Sequence, residues 1–95
     1  MIEFAWNKNK ASANVKKHGI SFEEAKTVFS DEQALIIHDS DHSEQEDRFI
    51  LLGMSYRTRI LLVCHCYKEI KGIIRIISAR VASKKEQDQY WEALK

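Results

Sequence analysis

The sequence predicts an α+β fold of order β-α-α-β-β-β-β-α, an antiparallel sheet packed by helices on one face. Two capping patterns, Ser21-Phe-Glu-Glu24 and Ser83-Lys-Lys-Glu86, mark helix starts at distant points of the chain. Between them lie apolar runs rich in isoleucine, leucine and valine, near 48–55, 59–67 and 72–79. The connections between these last runs are too short for a crossover, so they must form an antiparallel meander.

Taken in order, Ile2 to Trp6 reads as a short apolar strand. Asn7 caps a helix over 8–17, with Ala11, Asn14 and Val15 facing inward at helical spacing. His18-Gly19 ends it, glycine supplying the left-handed residue that closes a helix. Ser21 opens a second helix through Phe29, and Ala34 to His38 forms a strand. The polar run DSDHSEQED, 39–47, is a loop, after which come the three meander strands. Ser83 opens a C-terminal helix carrying Tyr90, Trp91 and Leu94.

Ninety-five residues suit a single domain spanning 1–95, enough for one modest core. A charged fraction of 31% beside 44% hydrophobic is ordinary for a soluble protein. A net charge of +1 does not by itself point to nucleic acid; only clustered charge could. No signal-peptide core and no membrane-spanning apolar run is present, and the expected location is the cytoplasm. Cys64 and Cys66 sit too close in one strand for a normal disulfide and read as reduced thiols.

Strand parity separates the faces. Within 59–67, Ile60, Leu62, Cys64 and Cys66 share one side, and Leu61, Val63, His65 and Tyr67 the other. A three-residue turn at 69–71 pairs Lys68 with Gly72, Cys66 with Ile74 and Cys64 with Ile76 on a helix-covered core face. His65 then falls beside Arg75 on the open face. Arg80 is five residues from Arg75, an odd number, so the strand must end or bulge before it for both arginines to reach one concavity.

A histidine beside arginines suits phosphodiester chemistry: imidazole moves protons near neutral pH, and guanidinium forks match phosphate oxygens. The plain alternative is a partly buried His65 with Arg75 paired to Glu46 or Glu86. A zinc reading of Cys64, His65, Cys66, His38, Asp39, Asp41 and His42 fails on geometry, since His65 points away from both cysteines; no metal is expected. Lys8, Lys10, Lys16, Lys17 and His18 make the first helix basic, either a solvated face or a contact for RNA or an acidic partner. Trp6, Phe22, Phe29 and Tyr90 read as core or partner surface, and Trp91 as the exposed anchor among them.

The stretches F-x-W-N (4–7), N-x-x-K-H-G-I-S-F-E-E-A (14–25), V-F-x-D (28–31), D-H-S-E-x-E-x-R-F (41–49) and R-I-I-S-A-R-x-A-S-x-x-E (75–86) together resemble the BrnT family of bacterial toxins, in order and over nearly the whole chain. The resemblance implies a RelE-like fold and a ribonuclease needing neither metal nor cofactor. It also implies a BrnA-like antitoxin partner, similar to ribbon-helix-helix DNA binders, through which alone the operator DNA would be contacted. Its pattern matches at Arg48, Arg75, Arg80 and Glu86. The implied reaction is attack of an RNA 2′-hydroxyl on the adjacent phosphate. Arg75 and Arg80 are expected to supply charge and His65 to move a proton. Arg48, Lys17 and Arg59 would hold the RNA backbone, and Glu86 would cap the last helix and orient Arg80. Two rivals remain: a non-catalytic module acting in a toxin–antitoxin–DNA repressor complex, and a structural partner-binding domain.

Overall fold

The computed structural model describes residues 2–38, 48–68 and 72–95, the side chain of His38 excepted. The expected polar loop with Asp39, Asp41, His42 and Glu46, and the expected turn at 69–71, lie outside the described residues. The order is β1 (Glu3–Ala5), α1 (Lys8–His18), α2 (Phe22–Thr27), β2 (Leu35–His38), β3 (Phe49–Met54), β4 (Ile60–Tyr67), β5 (Ile73–Val81) and α3 (Lys84–Glu92), with a 3-10 turn at Val28–Ser30 extending α2. No helix among the described residues is long and apolar enough to cross a membrane.

The five strands lie in the order β1-β5-β4-β3-β2. Strands β2 to β5 form the expected antiparallel meander, whereas β1 runs parallel to β5, pairing Phe4 with Ile74. The sheet is therefore mixed rather than wholly antiparallel. No tight turn constrains β1; two helices intervene before the next strand, and it covers the first part of the β5 edge, residues 73–75.

Helices cover both faces, not one. On the first, Ile20, Phe22, Ala25 and Val28 pack with Leu51, Leu61, Val63, Ile76 and Ala79. On the second, Tyr90 of α3 packs with Leu52, Ile60, Leu62 and Ala82. Only Ala82 and Ser83 separate β5 from α3, and this short corner turns the last helix onto the face that α1 and α2 leave uncovered.

The caps behave differently at the two predicted boxes. Ser83 and Glu86 exchange both bonds, side chain to backbone in each direction, and fix the start of α3. At α2, Ser21 accepts from the Glu24 N–H, but the Glu24 carboxylate turns inward. There it accepts from Ser55 Oγ at 2.7 Å and from Arg59 Nε at 3.0 Å, with a second contact from Arg59 Nη2 to Oε1.

Two further polar joints tie the layers. Asn14 is 6% exposed; its Nδ2 donates to Ile20 O at 2.9 Å and Ala79 O at 2.8 Å, and its Oδ1 accepts from Ala79 N at 3.1 Å. It does for β5 beyond Ala5 what a further strand would do, satisfying the edge with a side chain. This same inward turn of Asn14 leaves Val15, expected inside, 48% exposed. Asp31 Oδ2 accepts from Tyr90 Oη at 2.7 Å and Met54 N at 2.8 Å, joining both helical layers to β3. Beside it, Gly53 leaves no room for a side chain: a Cβ there would stand 2.8 Å from Ala34 Cβ and 2.9 Å from Val28 Cγ1.

Candidate active site

The register of β4 on β5 decides where the arginines go. Tyr67 pairs with Ile74, Cys66 with Arg75 and His65 with Ile76, one residue off the expected pairing. Lys68 N–H donates to Ile73 O, so that pair closes the ladder, and Gly72 takes part in the connection at a φ of 86° that favours glycine. Between Cys64 and His65 the register slips: Cys64 pairs with Ser78, leaving Ile77 as an extra residue in β5. Leu62 then pairs with Arg80. Paired residues share a face, so Arg75, Arg80, Leu62, Cys64 and Cys66 all lie on the second face. The bulge expected before Arg80 is present, and it brings two arginines of odd spacing to one side.

His65 is on the other side. Its ring is 0% exposed, on the first face with Leu61 and Val63, and meets Phe29 edge-on at 4.8 Å between centroids. The one-residue register difference puts His65, not Cys64, on the face of Ile76 beneath α2, so the face expected to be open is a buried one. Burial pushes the imidazole below its ordinary pKa against a smaller opposing pull from the Val63 carbonyl. As the neutral ring, Nδ1–H donates to Val63 O at 3.1 Å, and Nε2 faces Tyr67 Oη at 3.4 Å. The catalytic role expected of His65 rested on an open face that it does not occupy.

A cleft of about 340 Å³ opens on the second face. Arg48 and Ile50 line it from β3 and its approach, Leu62 and Cys64 from β4, and residues 77–80 from β5. The bulge at Ile77 is thus part of its wall. His18, the last residue of α1, completes the lining. Its position is set by two neighbours in sequence. Gly19, at φ 71°, ends the helix and donates its N–H to Val15 O; Asn14, one turn earlier, bonds Ala79, the residue before Arg80. Sequence reasoning placed His18 at the end of a basic helix but assigned it no part in a site, because nothing local signals that the helix end reaches the cleft beside β5.

Arg80 is held at the rim of this cleft. Its Nη1 and Nη2 donate to Glu86 Oε1 and Oε2, each at 3.0 Å, and Nη1 also reaches Val81 O at 3.3 Å. Glu86 is itself fixed by the α3 cap, accepting from Ser83 N at 2.7 Å. The Arg80 bonds foremost, then the Ser83 bonds, hold the Glu86 carboxyl down at about 2 despite partial burial, so it stays anionic at neutral pH. A guanidinium has five N–H donors. Glu86 and Val81 take the end-on pair and the remaining Nη1 hydrogen. The Nε–H and the second Nη2–H, which lie side by side, meet no acceptor among the described residues. That side-on pair fits two oxygens of one phosphate.

The other predicted residues fall outside the cleft lining. Arg75 shares the face of Arg80 without lining the cavity. Lys17 is exposed on α1. Arg59 is committed to Glu24, whose side chain is 3% exposed; this is an internal ion pair bracing the β3–β4 turn against α2. Trp91 is 48% exposed, as expected, whereas Tyr90 is buried.

Residues 6–86 match the family described as "Ribonuclease toxin, BrnT, of type II toxin-antitoxin system". The chain belongs to this family. As a BrnT-family member it is a ribonuclease toxin whose counterpart is an antitoxin. Its fold is similar to that in the crystal structure of the Brucella abortus ribonuclease toxin BrnT, with a TM-score of 0.67 and 21% identity over 88% of this chain and 100% of the other. No curated protein matches the sequence. The family resemblance and the element order expected from the sequence thus agree with these findings, the mixed sheet and two-sided helical cover being the architectural corrections.

Proposed function

We propose that the cleft between β3, β4, β5 and the end of α1 is where the toxin binds and cuts RNA, without a metal ion. The observation that carries this reading is the convergence of Arg48 and Arg80 on one cavity, with the side-on fork of Arg80 left open while Glu86 holds the other end. In the reaction, the 2′-oxygen bonds to phosphorus and the 5′-oxygen departs, leaving a 2′,3′-cyclic phosphate and a 5′-hydroxyl. Negative charge builds on the phosphoryl oxygens, and the Arg80 guanidinium, held by Glu86 before the substrate arrives, stabilises it without reorganising, with Arg48 adding charge from the same cleft. Arg75, on the same face, and Lys17, on the basic surface of α1, extend the contact to neighbouring phosphates. Glu86 is a positioning residue, acting through Arg80. Arg59 has no part in this reading.

The partner in this reading is a BrnA-like antitoxin, which carries the complex to operator DNA and silences the nuclease in the cytoplasm; release of the toxin arrests growth. Arg80→Ala tests the site. Removing one such fixed donor costs about 10²–10³ in rate. The ion pair is partly exposed, 44% at Arg80, so its loss should cost at most about 1 kcal/mol of stability. A folded variant that cleaves RNA at the wild-type rate would move the site elsewhere, and cleavage lost in EDTA and restored by a divalent metal would end the metal-free mechanism.

A further inference from the structure

We infer that His18 is the general base of this cleft, taking the proton from the attacking 2′-hydroxyl; the inference rests on the cleft being the cleavage site. The arginines of the cavity are donors only and cannot accept a proton. Among the described residues lining the cleft, His18 is the one that carries an imidazole, the side-chain type that most often serves as a general base. The buried His65 cannot meet a substrate.

The fold also holds His18 rather than merely displaying it. The left-handed Gly19 stops α1 one residue later, and Ile20 is 0% exposed in the core. On the other side, the three Asn14 bonds fix the last turn to Ile20 and Ala79. Ala79 is the residue before Arg80, so proton acceptor and phosphate fork are referenced to the same stretch of β5. Such mutual fixing is what a near-attack geometry needs. In the step itself, the 2′-oxygen loses its proton to the imidazole as its lone pair bonds to phosphorus. The electron pair of the breaking P–O5′ bond leaves with the 5′-oxygen, which takes a proton from water. The imidazolium then returns its proton to solvent, so the balance closes with no other reagent.

The experiment measures RNA cleavage by purified wild type, Arg80→Ala, His18→Ala, His18→Gln and His18→Arg, each with a thermal melt, and repeats His18→Ala with added imidazole. The expected result is a loss of about 10²–10⁴ for every His18 variant, melts close to wild type, and partial recovery of His18→Ala by imidazole. His18→Arg should stay silent, because it supplies positive charge without a proton acceptor. If His18→Ala melts early, His18→Gln keeps the size and decides the matter. Arg80→Ala cleaving normally would overturn the cleft reading and this inference together. Arg80→Ala silent, with the folded His18 variants within tenfold of wild type, an active His18→Arg, or no recovery in imidazole, would overturn the role of His18 alone.

Discussion

Replacing Asn14 by alanine should be among the most damaging single changes outside the apolar core. The side chain makes three bonds, two donated to Ile20 O and Ala79 O and one accepted from Ala79 N, and its removal orphans all three backbone groups. Ile20 and Ala79 are 0% and 1% exposed, so water cannot replace the amide without entering the core. A buried polar group left unsatisfied costs about 1–3 kcal/mol. Three such groups, partly relieved by relaxation and by the better helix propensity of alanine, about 0.5 kcal/mol, put the net loss near 2–4 kcal/mol. For a domain this small that corresponds to a melting temperature lower by roughly 10–30 °C. Thermal and urea melts followed by circular dichroism measure it, with Asn14→Asp as the comparator of equal shape. The aspartate keeps the acceptor for Ala79 N but aims a carboxylate at two carbonyl oxygens, and at neutral pH it should be no more stable than the alanine variant. A fall of under about 3 °C for Asn14→Ala would refute the view that this amide substitutes for a strand partner.

His65→Gln should lower stability by about 1–3 kcal/mol through its buried bond to Val63 while the folded fraction keeps cleaving RNA; a loss beyond a hundredfold per folded molecule would return His65 to the mechanism. Gly53→Ala should cost about 1–3 kcal/mol by overpacking Ala34 and Val28, seen as a lower urea midpoint with an unchanged slope. Glu24, Asp31 and Glu86 all titrate below their ordinary values, so the native state binds fewer protons than the unfolded chain. Burial opposes this at Glu24 and Asp31 and is outweighed by their hydrogen bonds; at Glu86 the Arg80 bonds lead. Their stabilisation is complete above the ordinary carboxylate value of 4.5 or 3.8 and fades as pH falls through the folded values, for Glu86 from 4.5 to about 2. Glu86→Gln should therefore flatten the acid limb of the stability curve, and an unchanged limb would contradict the pairing with Arg80.

Where local chemistry decides, the sequence was sufficient. Asn7, Ser21 and Ser83 each accept from the backbone they were expected to cap, Gly19 is left-handed, and the meander follows from connection length. The need for a bulge before Arg80 was legible in the spacing of two arginines. Register was not, because it depends on the closing pair of a hairpin, and one residue exchanges the two faces of a strand. That single step carried His65 from the expected open face into the core. Glu24 shows the same limit: a capping glutamate and a buried ion-pair glutamate look alike until Arg59 is brought from 35 residues away. His18 was visible as a histidine but not as a cleft residue, since its place depends on a joint between α1 and β5.

The extra residue at Ile77 also bears on how faithfully the β4–β5 hairpin assembles. Zipped from its turn in the register that pairs His65 with Ile76, the hairpin could continue without a slip, and Arg80 would then lie opposite Leu61. Leu61 is 0% exposed beneath α1 and α2, so that misaligned hairpin would drive a guanidinium into the apolar layer, at a cost of several kcal/mol when unpaired. The ladder is thus proofread by the residue it must present. With Arg80→Leu, the wrong alignment would lose its penalty, and slow, heterogeneous refolding should appear alongside any loss of cleavage.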